Sequence, residues 1–200
     1  MRGLATFVLF LSLPLVAARA AAQSDPRFDA SVHVTWAKSG EFDTTTQGVG
    51  GRFGWHPVAL LGVEAEVAFY PADWPDGRAF SSGQREALFG VTFGPRLGPV
   101  RPFVKARWGA LRVAEASGPV VCILIFPPPL SCQLAAGDTL AAMDYGGGVE
   151  LGGRRVFLRV DVGDRAVRYP GPVFDETRTR RDGTFWSHDV RIGLGVGVRF

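Results

Sequence analysis

Apolar and non-apolar residues alternate without a break through the last eleven residues of this 200-residue chain. Between residues 190 and 200, every even-numbered position is Val, Ile, Leu or Phe, and every odd-numbered position is Gly or Arg. Neighbouring side chains of a β-strand point to opposite faces. The alternation therefore predicts a strand with one apolar face and one face of glycine and arginine.

The same period of two recurs in seven earlier segments, and no segment has the period of a helix. These segments are residues 30–38, 47–56, 61–69, 86–94, 104–111, 141–151 and 155–163. Short connections alternate with longer ones, as in transmembrane barrels, and roughly 9–11 residues per strand suit a tilted strand that crosses a bilayer. We therefore expect an all-β fold, an eight-stranded antiparallel up-and-down transmembrane β-barrel.

Residues 1–22 have the pattern of a cleaved secretory signal peptide. Arg2 precedes an apolar run at residues 4–16, and alanines at residues 20–22 supply a cleavage site before Gln23. A membrane anchor is the alternative, but the run is shorter than the roughly 20 residues that a spanning helix needs. We expect two regions, a signal peptide at residues 1–22 and a barrel at residues 23–200.

The polar faces of the predicted strands combine glycines with charges of both signs. An eight-stranded barrel is only just wide enough inside for its side chains, so glycines there would make room for long charged residues. On a water-facing strand the same glycines would cost stability without a packing return. We therefore expect the apolar faces to point outward, into lipid, with aromatic girdles formed by Trp36, Trp55, Phe69, Trp108, Tyr145 and Phe200.

This orientation predicts a charged lumen with six acids and six bases, which must pair because unpaired buried charges are costly. The predicted lumen charges are Glu64, Glu66, Glu86, Asp144, Glu150, Asp161, Arg52, Lys105, Arg107, Arg155, Arg159 and Arg191. The alternative is a soluble lipocalin-like barrel, in which the apolar faces point inward around a lipid ligand and the charged faces point to water.

Two stretches resemble the small eight-stranded outer-membrane barrel family, of the OmpX-like and OmpA transmembrane-domain types. They are residues 94–103, Gly-Pro-Arg-Leu-Gly-Pro-Val-Arg-Pro-Phe, and the terminal strand that ends in Phe200. The resemblance implies a monomer in the outer membrane of a Gram-negative-type bacterium. It also implies an assembly signal, read by the barrel-assembly machinery, at Ile192, Leu194, Val196, Val198 and Phe200.

Cys122 and Cys132 are the two cysteines, and both fall in the longest predicted connection, residues 113–138. In an exported protein this placement predicts a disulfide, which would stabilise the loop by up to ~3 kcal/mol in the chain-entropy model. Two free thiols or an intermolecular bridge are the alternatives. Arg178, Arg180 and Arg181 in the last predicted loop are candidate contacts for lipopolysaccharide phosphates.

Ser187, His188 and Asp189 are residue types of a hydrolase triad. Consecutive strand residues point to opposite faces, so these three cannot hydrogen-bond as a triad. His33 and His56 are isolated in sequence, so we expect no catalytic, metal or cofactor site. The formal charge of +3 includes Arg2 and Arg19 of the signal, and the remaining +1 does not indicate nucleic-acid binding.

The expected function is therefore that of a non-enzymatic integral outer-membrane barrel. Its role would be structural or surface-interacting through long extracellular loops, in contact with outer-membrane lipid and lipopolysaccharide. A small porin-like transport channel is one alternative. A soluble lipocalin-like lipid-binding barrel is the second.

Overall fold

The computed structural model describes residues 27–71, 83–116, 130–171 and 183–200. Eight strands form one closed barrel in which each strand is antiparallel to its neighbours in the sequence and the last pairs with the first. The strands are β1 (Phe28–Lys38), β2 (Thr45–Val58), β3 (Leu61–Tyr70), β4 (Gln84–Phe93), β5 (Val100–Val113), β6 (Asp138–Gly152), β7 (Val156–Pro170) and β8 (Thr184–Arg199). The predicted eight-stranded antiparallel barrel is confirmed.

The two ends of the barrel differ in the length of their connections. The β2–β3, β4–β5 and β6–β7 turns lie at the end where β1 begins and β8 ends, hereafter the short-turn end. The β3–β4, β5–β6 and β7–β8 connections, together with the shorter β1–β2 connection, lie at the opposite, long-loop end. The longest connections of the chain therefore lie at one end of the barrel.

The outer wall is apolar and the inner wall is polar. On β8, Ile192 is 46% exposed whereas its neighbour Arg191 is 2% exposed. Trp55, Phe69, Trp108, Tyr145 and Phe200 also lie exposed on the outer wall. The predicted orientation of the faces is confirmed, and the soluble lipid-binding alternative is wrong, because its apolar side chains would have to line the interior.

Every strand extends beyond its predicted limits at one end or both, and β5, β7 and β8 do so most. β5 begins at Val100, so Arg101 and Pro102 belong to the strand and not to the preceding turn; a proline is tolerated this close to the start of a strand. β7 and β8 continue towards the long-loop end, where Arg168 pairs with Trp186. The sequence pattern missed this extension because outward residues above the lipid-covered band no longer need to be apolar.

In the described part of the β5–β6 connection lies one short helix, α1 (Leu130–Leu134). The sequence predicted no helix, because five residues are too few to establish a helical period. Within the described ranges, no helix has both the length and the apolar character needed to cross a membrane.

Several predictions concern residues outside the described ranges. These are the signal peptide at residues 1–22, Cys122, and the loop arginines Arg178, Arg180 and Arg181. Cys132 lies in α1. The signal boundary, the Cys122–Cys132 pairing and the loop contacts with lipopolysaccharide stay predictions.

Candidate functional site

The barrel interior holds the chemically distinctive residues of the described strands, sixteen buried charged side chains of which eight are acidic and eight basic. The acids are Asp29, Glu64, Glu66, Glu86, Asp144, Glu150, Asp161 and Asp189. The bases are Arg52, Arg101, Lys105, Arg107, Arg159, Arg165, Arg191 and Arg199. The alternation of each strand sends these side chains inward, so their charges balance inside the barrel.

Glu66 and Asp144 are the centre of the ion-pair network. Glu66 accepts hydrogen bonds from Arg107, from Arg191 and from Arg52, whose Nη2 lies 2.7 Å from Oε2. Asp144 accepts from Arg107, from Arg191 at 3.0 Å and from Lys105 at 3.1 Å. Such convergence of opposite charges is what offsets the cost of removing them from water.

Towards the short-turn end, the network continues through two arginines that also stack on aromatic rings. Arg159 donates to Glu64 at 2.9 and 3.2 Å, and its guanidinium lies 4.0 Å from the centre of the Phe103 ring. Arg199 donates to Glu150 at 2.8 Å and lies 4.4 Å from the centre of the Phe157 ring. These cation–π contacts and ion pairs fill this end of the interior.

Glycines make room for these side chains at close approaches across the wall. A Cβ at Gly62 would lie 2.6 Å from the Oγ1 of Thr92 and 2.7 Å from the ring of His56. His56 Nε2 in turn lies 2.6 Å from Asp29 Oδ2. The glycine-rich inner face is therefore a packing requirement of the filled interior, as the sequence argument proposed.

Towards the long-loop end, Arg165 joins β7 to two other strands. It donates to Asp189 on β8 at 2.7 Å and to Glu86 on β4 at 3.0 Å. The other oxygen of Asp189 accepts the backbone N–H of Gly40 at 3.1 Å. This contact holds the β1–β2 connection against the barrel.

An apolar cluster closes the mouth at the long-loop end. It consists of Leu88, Leu111, Val113, Leu134, Leu140, Ala142, Val167, Tyr169 and Phe185, all buried. Leu134 comes from α1, and Phe42 of the β1–β2 connection packs edge-on against Tyr169 at 5.9 Å. Two connections therefore cover the mouth with apolar side chains, above the charged layers.

Eleven of the twelve predicted lumen charges lie inside the barrel, and Arg155 does not. Arg155 is exposed in the β6–β7 turn, where Gly153 N–H donates to Val156 O. The prediction for Arg155 is wrong because the alternation of β7 begins only at Val156, and a turn residue does not inherit the parity of the strand that follows.

Five lumen charges were missed: Asp29, Arg101, Arg165, Asp189 and Arg199. Arg199 stands at an odd position of the terminal alternation and could have been found from that pattern alone. Arg101, Arg165 and Asp189 fell outside the predicted strand limits. Their signal was the continued parity of β5, β7 and β8, hidden by Pro102 and by polar outward neighbours.

The Ser187–Asp189 stretch divides between the two faces, as the triad argument required. Ser187 and Asp189 are buried inside, whereas His188 is exposed on the outer wall. There His188 Nδ1 lies 2.7 Å from Asp164 Oδ2, which also accepts the Tyr145 hydroxyl at 2.5 Å. Asp164 therefore orients the His188 imidazole, but among the described residues no serine lies beside them on the outer wall. The described residues contain no cluster of three or more metal-ligating His, Cys, Asp or Glu.

The candidate assembly-signal residues share the outer face of β8. Ile192, Leu194, Val196, Val198 and Phe200 all lie exposed there, in one row that ends at the short-turn end. Whether the assembly machinery reads them stays a prediction.

A closed eight-stranded barrel with an apolar outer wall and a charge-filled interior defines the class of small outer-membrane β-barrels. Solved structures share this fold with the chain. The Neisserial surface protein A is 16% identical with a TM-score of 0.54, and the alignment covers 86% of this chain and 97% of that one.

Two further similar structures are outer-membrane barrels of other bacteria. The N-terminal barrel domain of Pseudomonas aeruginosa OprF is 12% identical over 86% of this chain and 97% of its own, with a TM-score of 0.49. The attachment invasion locus protein Ail of Yersinia pestis, solved with the heparin analogue sucrose octasulfate, is 13% identical over 88% and 99%, with a TM-score of 0.45. No family model and no curated protein matches the sequence.

Proposed function

We propose that this protein is a monomeric, non-enzymatic barrel in the outer membrane of a Gram-negative-type bacterium, with a structural or surface-interacting role carried by its long-loop end. One observation carries the proposal: the interior is filled by paired charges and its mouth is closed by an apolar cluster. A filled interior leaves the connections as the variable, solvent-facing part of the protein.

The filled interior argues against the porin-like alternative. The side chains of Lys105, Arg107 and Asp144 in the middle of the barrel have no exposed surface. Ions would have to displace charges that already neutralise one another, and breaking a buried pair costs about 3–5 kcal/mol. The likeness to other barrels supports the location in the outer membrane.

The proposed partners follow from the location. Outer-membrane lipid and lipopolysaccharide surround the apolar wall, and the barrel-assembly machinery acts during insertion, with the outer row of β8 as its signal. The long-loop end then faces the outside of the cell, and the short-turn end faces the periplasm.

The orientation can be tested with epitope tags in intact cells. A tag between residues 76 and 77, in the β3–β4 connection, should bind antibody without permeabilisation. The matched control places the same tag between residues 153 and 154, in the β6–β7 turn, and should bind antibody only after permeabilisation. Antibody access to the turn tag, or to neither tag in intact cells, would refute surface display.

Conduction is tested separately with the purified protein. In planar bilayers we expect no discrete single-channel openings. Regular openings that persist across preparations, and that change in size when Arg107 is replaced by alanine, would establish the channel instead.

A further inference from the structure

The pairing of β4 with β5 sets two arginines directly opposite each other on the outer wall. Arg85 and Arg112 are Cα partners in this register, and both are exposed. Side chains in such directly opposed positions have Cβ atoms about 4.5–5.5 Å apart, and like charges there destabilise the sheet. An anion bound between them would offset this repulsion.

No protein group in the described ranges supplies this negative charge. Neither guanidinium has an ion pair or a side-chain hydrogen bond to another described residue. Across the same row, Arg85 is flanked by Phe69 and Arg112 by Thr139, which are both uncharged. Glu86, next to Arg85 in sequence, points inward, where it accepts from Arg165 at 3.0 Å.

The arginine pair stands at the upper edge of the apolar wall. Directly below it lie Ala87 and Ala110, and the next outward pair is Phe89 and Trp108, whose rings meet edge-on at 5.6 Å. On β4, Arg85 lies eight residues from Phe93, the last outward residue at the short-turn end. That spacing is about 27 Å along the strand and about 20 Å along the barrel axis, so the pair is near the top of an apolar band about 25 Å tall.

We propose that Arg85 and Arg112 bind the phosphate group of a membrane-lipid headgroup on the outside of the barrel. Two guanidinium groups on one row offer paired N–H donors that match phosphate oxygens. The small side chains of Ala87 and Ala110 leave the wall shallow beneath the phosphate, where the lipid passes down over Phe89 and Trp108. The site rests on the proposed outer-membrane location, and it names a lipid contact on the wall rather than in the loops.

The test uses the folded full-length barrel in dodecyl maltoside, a detergent without phosphate. Equal amounts of dioleoyl phosphatidic acid and dioleoyl phosphatidylcholine are added, and the retained lipids are quantified by native mass spectrometry. We expect the wild type to retain phosphatidic acid on the order of tenfold over phosphatidylcholine, because its uncapped phosphomonoester carries more negative charge and free oxygens for both guanidinium groups, whereas the phosphate of phosphatidylcholine is partnered by its own choline cation. Arg85→Gln/Arg112→Gln should reduce this preference to near parity.

Two further variants separate the site from general charge and from misfolding. Arg155→Gln removes an exposed arginine at the short-turn end and should keep the preference. Arg112→Glu sets opposite charges across the strands, which favours the sheet, and should lose the preference while the barrel still folds. Each variant is first checked for the gel-mobility change on heating that a folded barrel shows.

Three outcomes would overturn the proposal. The first is a wild type without preference for phosphatidic acid, and the second is a loss of that preference in Arg155→Gln equal to the loss in the double variant. The third is full displacement of phosphatidic acid by equimolar inorganic phosphate, which would make the arginine pair a site for soluble phosphate. A failure of the epitope-tag experiment would refute the proposed function instead. It would not alter a lipid preference measured on purified protein.

Discussion

Phe28 and Phe200 close the barrel by exchanging both of their backbone hydrogen bonds. Phe28 N–H donates to Phe200 O at 3.0 Å, Phe200 N–H donates to Phe28 O at 2.9 Å, and the two rings stack at 6.2 Å. Phe53 of β2 adds a third ring, 6.0 Å from that of Phe28. The last residue of the chain is therefore part of the seam between the first and last strands.

Deleting Phe200 should lower the amount of folded barrel in the membrane. The deletion removes the final hydrogen-bond pair of the seam, its aromatic contact and the proposed assembly signal. The measurement is the fraction of protein whose gel mobility changes on heating. Phe93→Ala is the control, since Phe93 is exposed on the outer wall away from the seam. An undiminished folded fraction after the deletion would argue against both roles of Phe200.

Replacing Arg107 by methionine should destabilise the barrel strongly. Arg107 contacts Glu66, Asp144 and Glu64, and its removal leaves buried carboxylates without their shared partner. We expect a loss of about 3–5 kcal/mol in the free energy of unfolding, measured by urea titration in lipid vesicles. Arg155→Met, at an exposed turn position, should stay within about 0.5 kcal/mol of the wild type. Equal effects of the two substitutions would contradict the central role of the network.

Replacing Leu134 by alanine should loosen the cover of the mouth without unfolding the barrel. Leu134 is the buried contact of α1 with the apolar cluster, and truncation of such a leucine costs about 2–5 kcal/mol locally. We expect faster proteolysis within residues 114–137, with an unchanged midpoint of global unfolding. Leu97→Ala, at an exposed position of the β4–β5 turn, is the control. Unchanged proteolysis would show that α1 is held by other contacts.

The predicted disulfide should restrain the β5–β6 connection and little else. With Cys122 and Cys132 paired, denatured but unreduced protein should not react with a maleimide reagent, and reduced protein should take up two equivalents. Replacing both cysteines by serine should leave the hydrogen bonds between the strands intact. The free energy of global unfolding should therefore fall by no more than ~3 kcal/mol. Labelling before reduction, or a dimer on non-reducing gels, would point to free thiols or an intermolecular bridge.

Strand number, the direction of the faces and the antiparallel order were all readable from the sequence, because each depends on local geometry. Alternation along residues 190–200 makes Ile192 and Arg191 point to opposite sides in any strand. Eight such segments separated by turns can close as a barrel, and the narrow interior then requires charges to pair. The outward row of β8 and most of the lumen charges follow from this argument.

Which groups meet was decided only by the tertiary structure, because it depends on register, strand extension and closure. Arg52 and Glu66 are neighbours on paired strands. Arg191 also contacts Glu66, but from the other side of the barrel and 125 positions later in the sequence. Arg155 lies outside the lumen and Arg165 lies inside it, because β7 begins and ends at other residues than the alternation of its sequence predicted. The Arg85–Arg112 pair and the packing of Leu134 in the apolar cluster likewise depend on contacts between distant segments. Such contacts cannot be predicted from the alternation along one strand.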